Sequence, residues 1–400
     1  MQQDSDLLSR VGFLCGSAQV IEDSGDTPVL PACSEQALSF FDALSRTLMS
    51  SKEARGYPDV IAWAFWIRRA SLGKIASRFS QDGCIRLGRG MALHIAPSNV
   101  PVNFAVSMTS SLLAGNITAV RVPEKRFEQV RIICEAMNGL LGGEFSCMKP
   151  YVAVMRYGHD AEVNACLSSI CDLRVVWGGD ATVAAFRSIP LPPRAIEMDF
   201  PDRHSLCVID SDEYLRMDQR KVAALFYTDT YYSDQNACSS PRAVIWLGES
   251  SEEAKERFYG ALHELVLKRY QMQAIQAVDK LNAFCELAAA GFKPRRAGHD
   301  NTLWRVEGCR ADARLMDFKL GGGYFLDIDA SSLEDALPLM GKRCQTVSCI
   351  GIDPAAVARM AAAHGARGVD RVVAAGHTMD LSFIWDGFGM VEAMSRIIDA

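Results

Sequence analysis

Cys238 lies in a segment whose composition suits a reactive thiol. Its neighbours from Asp234 to Ser240 are mostly small and polar, and Pro241 precedes the apolar run at residues 243–247. This pattern predicts a loop between a helix and a strand, where clustered backbone N–H groups would stabilise a thiolate. A buried structural cysteine usually has bulky apolar neighbours instead. Taken alone, the segment favours an ordinary loop thiol, and a catalytic nucleophile is the alternative that the rest of the chain supports.

Asn99 lies in a second segment of interest, residues 94–101, in which an apolar run ends at Pro97 and a helix begins. The side-chain amide of an asparagine held there can donate an N–H into a cleft. Beside the backbone N–H of a cysteine it would form an oxyanion hole, in which one donor contributes about 2.7–4 kcal/mol. The alternative is that Asn99 caps the N-terminus of the following helix.

A third segment, Trp177 to Asp180, has the sequence Trp-Gly-Gly-Asp between a predicted strand and a predicted helix. Gly178 and Gly179 would let the backbone approach a ligand closely, and a helix N-terminus there could face a cofactor phosphate. A plain turn with Asp180 as the N-cap explains the same residues. The segment is not the GxGxxG motif.

These segments belong to a regular alternation of strands and helices that begins at residue 91. The predicted strands of this first block are residues 91–96, 117–122, 151–155 and 173–177, and helices are predicted at 104–112 and 127–141. Such alternation predicts a parallel sheet covered by helices, with ligands at the carboxyl ends of its strands. Before this block, residues 34–79 have helical spacing, and about the first 35 residues are expected to be irregular.

A second block begins near residue 205. Its predicted strands are residues 206–209, 243–247 and 324–328, with a long helical region at 251–290 interrupted near 271–276. A short terminal helix follows Trp385 and Gly389. The sequence thus predicts an α/β protein of two domains with a cleft between them.

Composition excludes several classes of protein. The chain has 400 residues, of which 49% are hydrophobic and 22% charged, as is typical of a globular protein of enzyme size. Its net charge of −6 gives no support for nucleic-acid binding, which needs basic surface to neutralise phosphates. The longest apolar stretch, at residues 104–120, is interrupted by polar residues and glycine, so no membrane span is expected.

Cysteine usage predicts reduced thiols. The chain has 13 cysteines without paired spacing and 7 histidines without an HExxH motif. This favours the cytoplasm over a disulfide-rich compartment and predicts no metal site. The beginning of the sequence lacks a basic segment followed by an apolar core, so no secretory signal peptide is expected.

Together the segments resemble the aldehyde dehydrogenase superfamily, and more closely the long-chain acyl-CoA (fatty acyl) reductases of the bacterial bioluminescence type. The resemblance covers about residues 85–395. It is carried by segments 94–101, 113–116, 176–180, 205–210, 234–241, 345–347 and 385–387. It implies an aldehyde-dehydrogenase-like fold, in which a nucleotide-binding parallel-sheet domain and an α/β catalytic domain hold the active site between them.

The resemblance also implies roles for single residues. Cys238 matches the nucleophile that forms an acyl-thioenzyme, and Asn99 matches the side-chain oxyanion donor. Arg121 stands where the superfamily has a lysine beside the adenosine ribose; its guanidinium suits a 2′-phosphate and favours NADPH, with NADH as the alternative. The alternative for Arg121 is a surface charge at the end of a strand.

The remaining cofactor candidates come from the same resemblance. Pro97, Gly178, Gly179 and Asp180 fall beside the expected cofactor, the last two at the pyrophosphate-side turn. A carboxylate close to phosphates is unfavourable, so Asp180 is expected to cap the helix that follows.

Two departures from the superfamily pattern bear on the reaction. Asp199 stands where oxidising members have the glutamate that activates water, and its side chain is shorter, with Pro201 replacing a glycine nearby. A base placed short of its substrate loses effect, which weakens hydrolysis and leaves thiol-dependent acyl transfer. The Glu-x-Phe pair that grips the nicotinamide ribose has no clear counterpart near residues 321–325.

The preferred hypothesis is an NADPH-dependent reductase that converts an acyl thioester to an aldehyde through acyl-Cys238. The alternatives are an oxidative aldehyde dehydrogenase, an acyltransferase or thioesterase, and a catalytically impaired partner protein. The acyl donor would be acyl-CoA, an acyl carrier or an acyl-enzyme, and a homo-oligomer or a complex with an acyl-donating enzyme would be compatible with the resemblance.

The expected domains follow the two blocks. Residues 1–204 would bind the cofactor, 205–375 would form the catalytic domain carrying Cys238, and 376–400 would return toward the cleft.

Overall fold

A computed structural model of the chain describes residues 7–81, 83–298, 300–318 and 321–399. The chain divides into two compact units. Unit 1 comprises the described residues up to Pro201 together with those from Leu381 onward, and unit 2 comprises Asp202–Asp380.

Unit 1 contains a mixed sheet whose inner strands are parallel. The strands of its first part are β1 (Gly12–Cys15), β2 (Ile85–Gly88), β3 (Met91–Ile95), β4 (Ile117–Val122), β5 (Val152–Arg156), β6 (Leu173–Trp177) and β7 (Ile196–Phe200). The helices are α1 (Gln19–Glu22), α2 (Glu35–Ser50), α3 (Pro58–Trp66), α4 (Arg69–Gln81), α5 (Asn103–Leu113), α6 (Glu128–Gly142), α7 (Ala161–Ile170) and α8 (Asp180–Arg187).

The sheet of unit 1 has the order β1-β5-β4-β3-β6-β7, and only the edge strand β1 runs antiparallel to its neighbour. Strands β3, β4 and β6 are buried along their whole length, as expected for apolar strands covered on both faces. The strands predicted from residue 91 onward are confirmed. The lead-in, expected to be irregular, instead supplies β1 and α1, while residues 1–6 lie outside the described part.

Unit 2 contains a second sheet, in the order β10-β11-β12-β9-β8-β13-β14. Its strands are β8 (His204–Asp210), β9 (Pro241–Leu247), β10 (Arg295–Ala297), β11 (Trp304–Glu307), β12 (Tyr324–Asp329), β13 (Cys344–Ile350) and β14 (Arg371–Ala374). The helices are α9 (Ser211–Tyr214), α10 (Gln219–Asp229), α11 (Ser251–Arg269), α12 (Ala274–Ala289) and α13 (Pro354–Ala363). The predicted interruption of the long helical region is confirmed by the gap between α11 and α12.

Apolar side chains cover both faces of this second sheet. Alternate residues of β8 and β9 belong to two separate core clusters: Leu206 and Ala243 to one, Cys207 and Val244 to the other. Only β10 runs antiparallel to its neighbour. The sheet is therefore a parallel, doubly covered one, as the strand and helix alternation predicted.

The last part of the chain belongs to unit 1. It forms β15 (Ile384–Trp385), β16 (Phe388–Gly389), α14 (Met390–Met394) and β17 (Ser395–Ile398). Met390, Val391 and Met394 are buried in the core of unit 1, and β17 pairs antiparallel with β2. The terminal helix is thus confirmed, and a short strand follows it.

Gly115 and Asn116 tie distant parts of unit 1 together. Gly115 has a φ of +93°, and a Cβ there would lie 1.9 Å from the Leu30 carbonyl oxygen, so a side chain cannot be accommodated. Asn116 accepts a hydrogen bond from the Arg89 N–H and donates one to the Met394 carbonyl oxygen, at 2.7 and 3.0 Å. This turn therefore connects the lead-in, the first parallel strands and the C-terminal segment.

Across the described residues, no helix combines the length and apolar character that a membrane crossing requires.

Candidate active site

Cys238 lies in unit 2, half-buried, on a loop between a 3-10 turn at Tyr231–Ser233 and strand β9. Asp234 and Gln235 begin the loop in the left-handed region, with φ of +53° and +58°. Such a conformation is uncommon for residues with a side chain and must be held by the surroundings. The predicted helix, loop and strand arrangement around Cys238 is confirmed.

Gln235 supplies much of that restraint. Its amide nitrogen donates to the carbonyl oxygens of Pro241 and Tyr324, at 2.8 and 3.0 Å. Its amide oxygen accepts the backbone N–H groups of Gly323 and Tyr324, at 3.0 and 3.1 Å. A buried amide with these four bonds joins the start of the Cys238 loop to β12 and to the end of the same loop.

Ser205 fixes the peptide group of the cysteine itself. Its hydroxyl donates to the Cys238 carbonyl oxygen at 2.7 Å and accepts the Thr346 backbone N–H at 3.1 Å. Ser205 and Thr346 are buried at the start of β8 and in β13. The position of the Cys238 backbone is therefore set by two central strands of the sheet.

Arg242 brings a positive charge to the same loop. Its guanidinium interacts electrostatically with Cys238, and burial lowers the pKa of Arg242 below its usual range. The buried Nε of Arg242 has no hydrogen-bond partner among the described residues. A cation in this position favours a thiolate over a neutral thiol. The sequence reading gave Arg242 no role, although it immediately follows Pro241 at the end of the loop.

A second loop of unit 2 contacts the residue after the cysteine. The Ser239 hydroxyl lies 3.4 Å from the sulfur of Met379. The backbone before Met379 is held by the buried Asp229, whose carboxylate accepts the N–H groups of Gly376 and Thr378 and the Thr378 hydroxyl. Burial raises the pKa of Asp229 above its usual value. Hydrogen bonds to Asp229 therefore hold residues 376–379 in place next to the Cys238 loop.

The candidate site residues of unit 1 lie at or near the carboxyl ends of its parallel strands. In the order β4-β3-β6-β7, Arg121 pairs with Ile95, Ile95 with Val176, and Val176 with Asp199. Paired residues of parallel strands in register point to the same face, so Arg121 and Asp199 share a face about 14 Å apart. Pro97, Asn99 and the Gly178 turn follow the carboxyl ends of β3 and β6, where α/β sheets bind ligands.

Asn99 is exposed and precedes α5 by several residues. The N-cap of α5 is Val102, so the alternative that Asn99 caps this helix is wrong. The bend at residues 98–99 intervenes between Pro97 and the helix and carries the asparagine away from the cap position.

Arg121 is buried, with 8% of its surface exposed, so the alternative of a surface charge at the strand end is also wrong. One terminal nitrogen donates to the carbonyl oxygens of Tyr157 and Gly158, at 3.3 and 3.2 Å. The guanidinium also lies 5.1 Å from the centre of the Tyr157 ring. Its Nε is buried and has no hydrogen-bond partner among the described residues.

The Gly178 turn corrects one expectation. The N-cap of α8 is Gly179, and Asp180 is the first residue of the helix, so Asp180 is not the cap. A carboxylate in the first turn still interacts favourably with the positive end of the helix dipole. Gly178 is packed closely, because a Cβ there would come within 2.8 Å of the Thr182 side chain.

Asp199 is engaged by an arginine that the sequence reading missed. Arg187, in the last turn of α8, donates from its Nε and a terminal nitrogen to one carboxylate oxygen of Asp199, at 2.7 and 2.5 Å. The other oxygen is buried without a hydrogen-bond partner among the described residues. On the same strand, Glu197 forms an ion pair with the buried Arg174. Both carboxylates of β7 are therefore neutralised by arginines.

A cluster of aromatic side chains lies at the carboxyl ends of β6 and β7. Trp177 stacks on Phe200 with ring centres 3.8 Å apart, and Trp385 and Phe388 of the C-terminal segment contact these two rings edge-on. The Trp177 N–H donates to the Ser107 hydroxyl at 2.9 Å, and Ser107 also lies 2.7 Å from Nδ1 of His94. The C-terminal hairpin thus packs on the ends of β6 and β7.

The fold has clear relatives among solved structures. A putative aldehyde dehydrogenase from Burkholderia cenocepacia is 15% identical, with a TM-score of 0.68 over 95% of this chain and 90% of the other. PnpE in complex with nicotinamide adenine dinucleotide is 15% identical, with a TM-score of 0.67 over 95% and 87%. The bifunctional proline utilization A protein is 14% identical, with a TM-score of 0.69 over 99% of this chain but only 44% of its own length.

The two α/β units and these structural relatives define an aldehyde-dehydrogenase-like fold. The family model described as acyl-CoA reductase (LuxC) matches residues 59–397, which is most of the sequence. The chain therefore belongs to the acyl-CoA reductase (LuxC) family, and it is an oxidoreductase of acyl and aldehyde chemistry. No curated protein sequence matches the chain.

Proposed function

We propose that this protein reduces an acyl-CoA or a related acyl thioester to an aldehyde, with Cys238 as the nucleophile. The observation that carries the proposal is the Cys238 loop: a half-buried cysteine on a strained loop, with its peptide carbonyl held by Ser205 and the Arg242 guanidinium in electrostatic contact. Family membership supports the substrate class.

In the first step the Cys238 sulfur attacks the thioester carbonyl carbon. A bond forms between that carbon and the cysteine sulfur, the bond to the CoA sulfur breaks, and CoA leaves as a thiolate that takes up a proton. Arg242 stabilises the attacking thiolate, and Asn99 would donate its side-chain N–H to the developing oxyanion. The residue Ser205 keeps the Cys238 peptide fixed during this exchange.

The acyl-enzyme then has to be reduced rather than hydrolysed. A nicotinamide cofactor, when bound, would supply the hydride for this reduction. Cys238 would hold the acyl group until the carbon–sulfur bond breaks and the aldehyde leaves. Hydrolysis would need a base to activate water, and the carboxylate best placed for it by the family pattern is Asp199. Arg187 holds that carboxylate in a hydrogen-bonded ion pair, so we propose that it does not activate water and that reduction is favoured over release of the acid.

Unit 1 is the proposed cofactor-binding unit, and its residues fit the group. The buried Nε of Arg121 lacks a hydrogen-bond partner among the described residues, as expected of a donor reserved for a ligand. Four further residues follow the carboxyl ends of β3 and β6 and would contact the cofactor: Pro97, Gly178, Gly179 and Asp180. We propose NADPH, because a guanidinium suits the 2′-phosphate; the NAD complex of PnpE supports only a nicotinamide cofactor in a related fold.

The test uses the full chain with NADPH or NADH and acyl-CoAs of several chain lengths, following cofactor absorbance and aldehyde formation. Cys238→Ala should abolish turnover, whereas Cys285→Ala, which alters an exposed thiol of unit 2, should leave it unchanged. Undiminished turnover in Cys238→Ala would refute the mechanism. No turnover with any thioester would favour a binding partner, and aldehyde oxidation alone would favour a dehydrogenase.

Arg121 is tested through cofactor preference. Arg121→Met should raise the KM for NADPH by about tenfold or more and change the KM for NADH much less, since only NADPH has the 2′-phosphate. Steady-state kinetics with both cofactors on the same preparation give the comparison. Equal losses with both cofactors would indicate that Arg121 only supports the fold through Tyr157 and Gly158.

A further inference from the structure

An open surface cavity of about 560 Å³ lies in unit 1, and none of its lining residues is assigned to the reaction. It is formed by the C-terminal half of α2, the 3-10 turn at Ala54–Gly56 and the corner between α3 and α4. Its volume lies within the range of small-molecule sites, about 300–1,000 Å³. Four arginines line it, Arg46, Arg55, Arg68 and Arg69, and the only lining carboxylate is that of Asp42.

This arginine-lined cavity is positively charged, whereas the protein as a whole has a negative net charge. The chain as a whole has a net charge of −6, yet the cavity lining is strongly positive. Positive charges grouped on one part of the surface attract anions more strongly than the same charges spread over the whole protein. The cavity is therefore suited to a small anionic ligand.

Two of the four arginines already have carboxylate partners. Arg69 forms a two-point contact with Glu35, at 2.6 and 2.7 Å, and Arg46 lies 3.3 Å from Asp42. These pairs are exposed and contribute little free energy. The carboxylates of Glu35 and Asp42 do not offset the charges of the other two arginines, Arg55 and Arg68.

Arg55 and Arg68 are held in place without being neutralised. The Nε of Arg55 donates to the Met49 carbonyl oxygen at 3.2 Å, and that of Arg68 to the Phe65 carbonyl oxygen at 2.8 Å. The Arg68 guanidinium also lies over the Phe65 ring, with its central carbon 3.2 Å from the ring centre. Within the described part of the chain, neither arginine pairs with a carboxylate, so the terminal N–H groups of both remain available as donors.

We propose that the arginine-lined cavity binds a phosphate-bearing small molecule, with Arg55 and Arg68 donating to its phosphate oxygens. Guanidinium groups bind phosphate through paired N–H donors, and a phosphate dianion suits two uncompensated arginines. The Nε hydrogen bonds already orient both side chains. Binding therefore costs less side-chain conformational entropy. The ligand would be either a free phosphate or diphosphate, or the phosphorylated nucleotide end of a molecule such as CoA.

The proposal is tested by titration calorimetry of the full chain with inorganic phosphate, pyrophosphate and adenosine 3′,5′-bisphosphate. The titrations are run without a nicotinamide cofactor or acyl-CoA, and the loss of binding in the arginine double variant measures the share that this cavity contributes. At least one ligand should bind saturably, and the Arg55→Ala, Arg68→Ala double variant should bind it about tenfold or more weakly. Binding of the bisphosphate alone would identify a CoA-type nucleotide, and binding of pyrophosphate as well would identify free phosphates.

The matched control is the Arg220→Ala, Arg310→Ala variant. Both residues are exposed arginines of unit 2 that have no carboxylate partner among the described residues, so the same two charges are lost elsewhere. This variant should bind the ligand as the wild type does. Equal weakening in both variants would show that only the net charge matters and would overturn the proposal.

Two further outcomes would also overturn it: no saturable binding of any of the three ligands, or wild-type affinity in the double alanine variant. If the alanine variant does not fold, Arg55→Lys with Arg68→Lys replaces it, and a several-fold loss is expected because lysine cannot make the two-point contact. The result is independent of acyl-CoA turnover, so it does not depend on the proposed reaction.

Discussion

Single side chains decide how reactive Cys238 can be. Ser205 and Gln235 fix the loop through hydrogen bonds to its backbone, while Arg242 supplies the charge. The Arg242 guanidinium acts on the Cys238 thiol electrostatically. The residues that hold the Cys238 backbone are therefore different from the residue that places a positive charge near its thiol.

Arg242→Met should slow the alkylation of Cys238 at neutral pH by about tenfold, because the loss of a nearby cation destabilises the thiolate. Arg242→Lys retains the charge and should react much more like the wild type. The rate is measured by mass spectrometry of the Cys238 peptide after timed exposure to iodoacetamide. An unchanged rate in the methionine variant would mean that Arg242 does not activate the thiol.

His94 makes a pH-dependent contribution to stability. It is fully buried on β3, and burial lowers its pKa from 6.5 to about 3. The folded protein therefore binds the proton less tightly than the unfolded chain does. The stability is complete above about pH 6.5 and is lost as the pH falls toward 3, at up to about 1.4 kcal/mol per pH unit.

The free energy of unfolding of His94→Gln should consequently approach that of the wild type as the pH falls from 7 to 4. Denaturant unfolding at several pH values measures the difference, and His159→Gln, at an exposed position, is the control. A difference between wild type and His94→Gln that stays constant over this range would show that His94 does not titrate on unfolding.

Strand β7 carries two acidic residues that neighbouring elements pair with arginines. It is the edge strand of the unit 1 sheet, and its two acidic residues point away from the apolar Met198 and Phe200. Arg174 from β6 and Arg187 from α8 neutralise them. The packing of α8 beside this strand therefore places Arg187 against the Asp199 carboxylate.

Arg187→Ala should increase the share of acyl groups released as the carboxylic acid instead of the aldehyde, because Asp199 is freed to activate water. Arg187→Lys keeps a charge near Asp199 and should change the product ratio less. Chromatographic quantification of acid and aldehyde from one acyl-CoA gives the ratio. A product ratio that is the same in all three proteins would show that the ion pair does not control hydrolysis.

The sequence predicts the central elements of both sheets because their strands are continuous apolar runs, as in β4 and β6. It does not reveal β7, whose alternating Glu197 and Asp199 resemble a polar segment until Arg174 and Arg187 are placed beside them. Around Cys238, the loop between a helix and a strand is predicted from its local composition. Arg187 is not, since the partner of a charged side chain depends on tertiary packing that no local pattern records.

The whole molecule consists of one unit that is continuous in sequence and one that is not. Unit 2 is a single stretch, whereas unit 1 needs the segment from Leu381 onward. That segment contributes Met390, Val391 and Met394 to the core and β17 to the ribbon with β2. Unit 1 thus depends on residues at both ends of the chain.

Met394→Ala should lower the stability of unit 1 by about 2–5 kcal/mol, the usual cost of truncating a fully buried methionine. Met217→Ala, at an exposed position of unit 2, should have little effect. Hydrogen exchange followed peptide by peptide measures the loss of protection in each unit. Equal protection of unit 1 in both variants would contradict this role of the C-terminal segment.

The division of unit 1 also affects the order of events during synthesis on the ribosome. Domains fold as they emerge, from the N-terminus onward. Unit 2 can be complete once Asp380 has emerged, but unit 1, although translated first, must wait for Leu381 and the residues after it. The earlier-made unit therefore finishes folding last, and a nascent chain interrupted before its end would expose an incomplete core that chaperones or proteases can recognise.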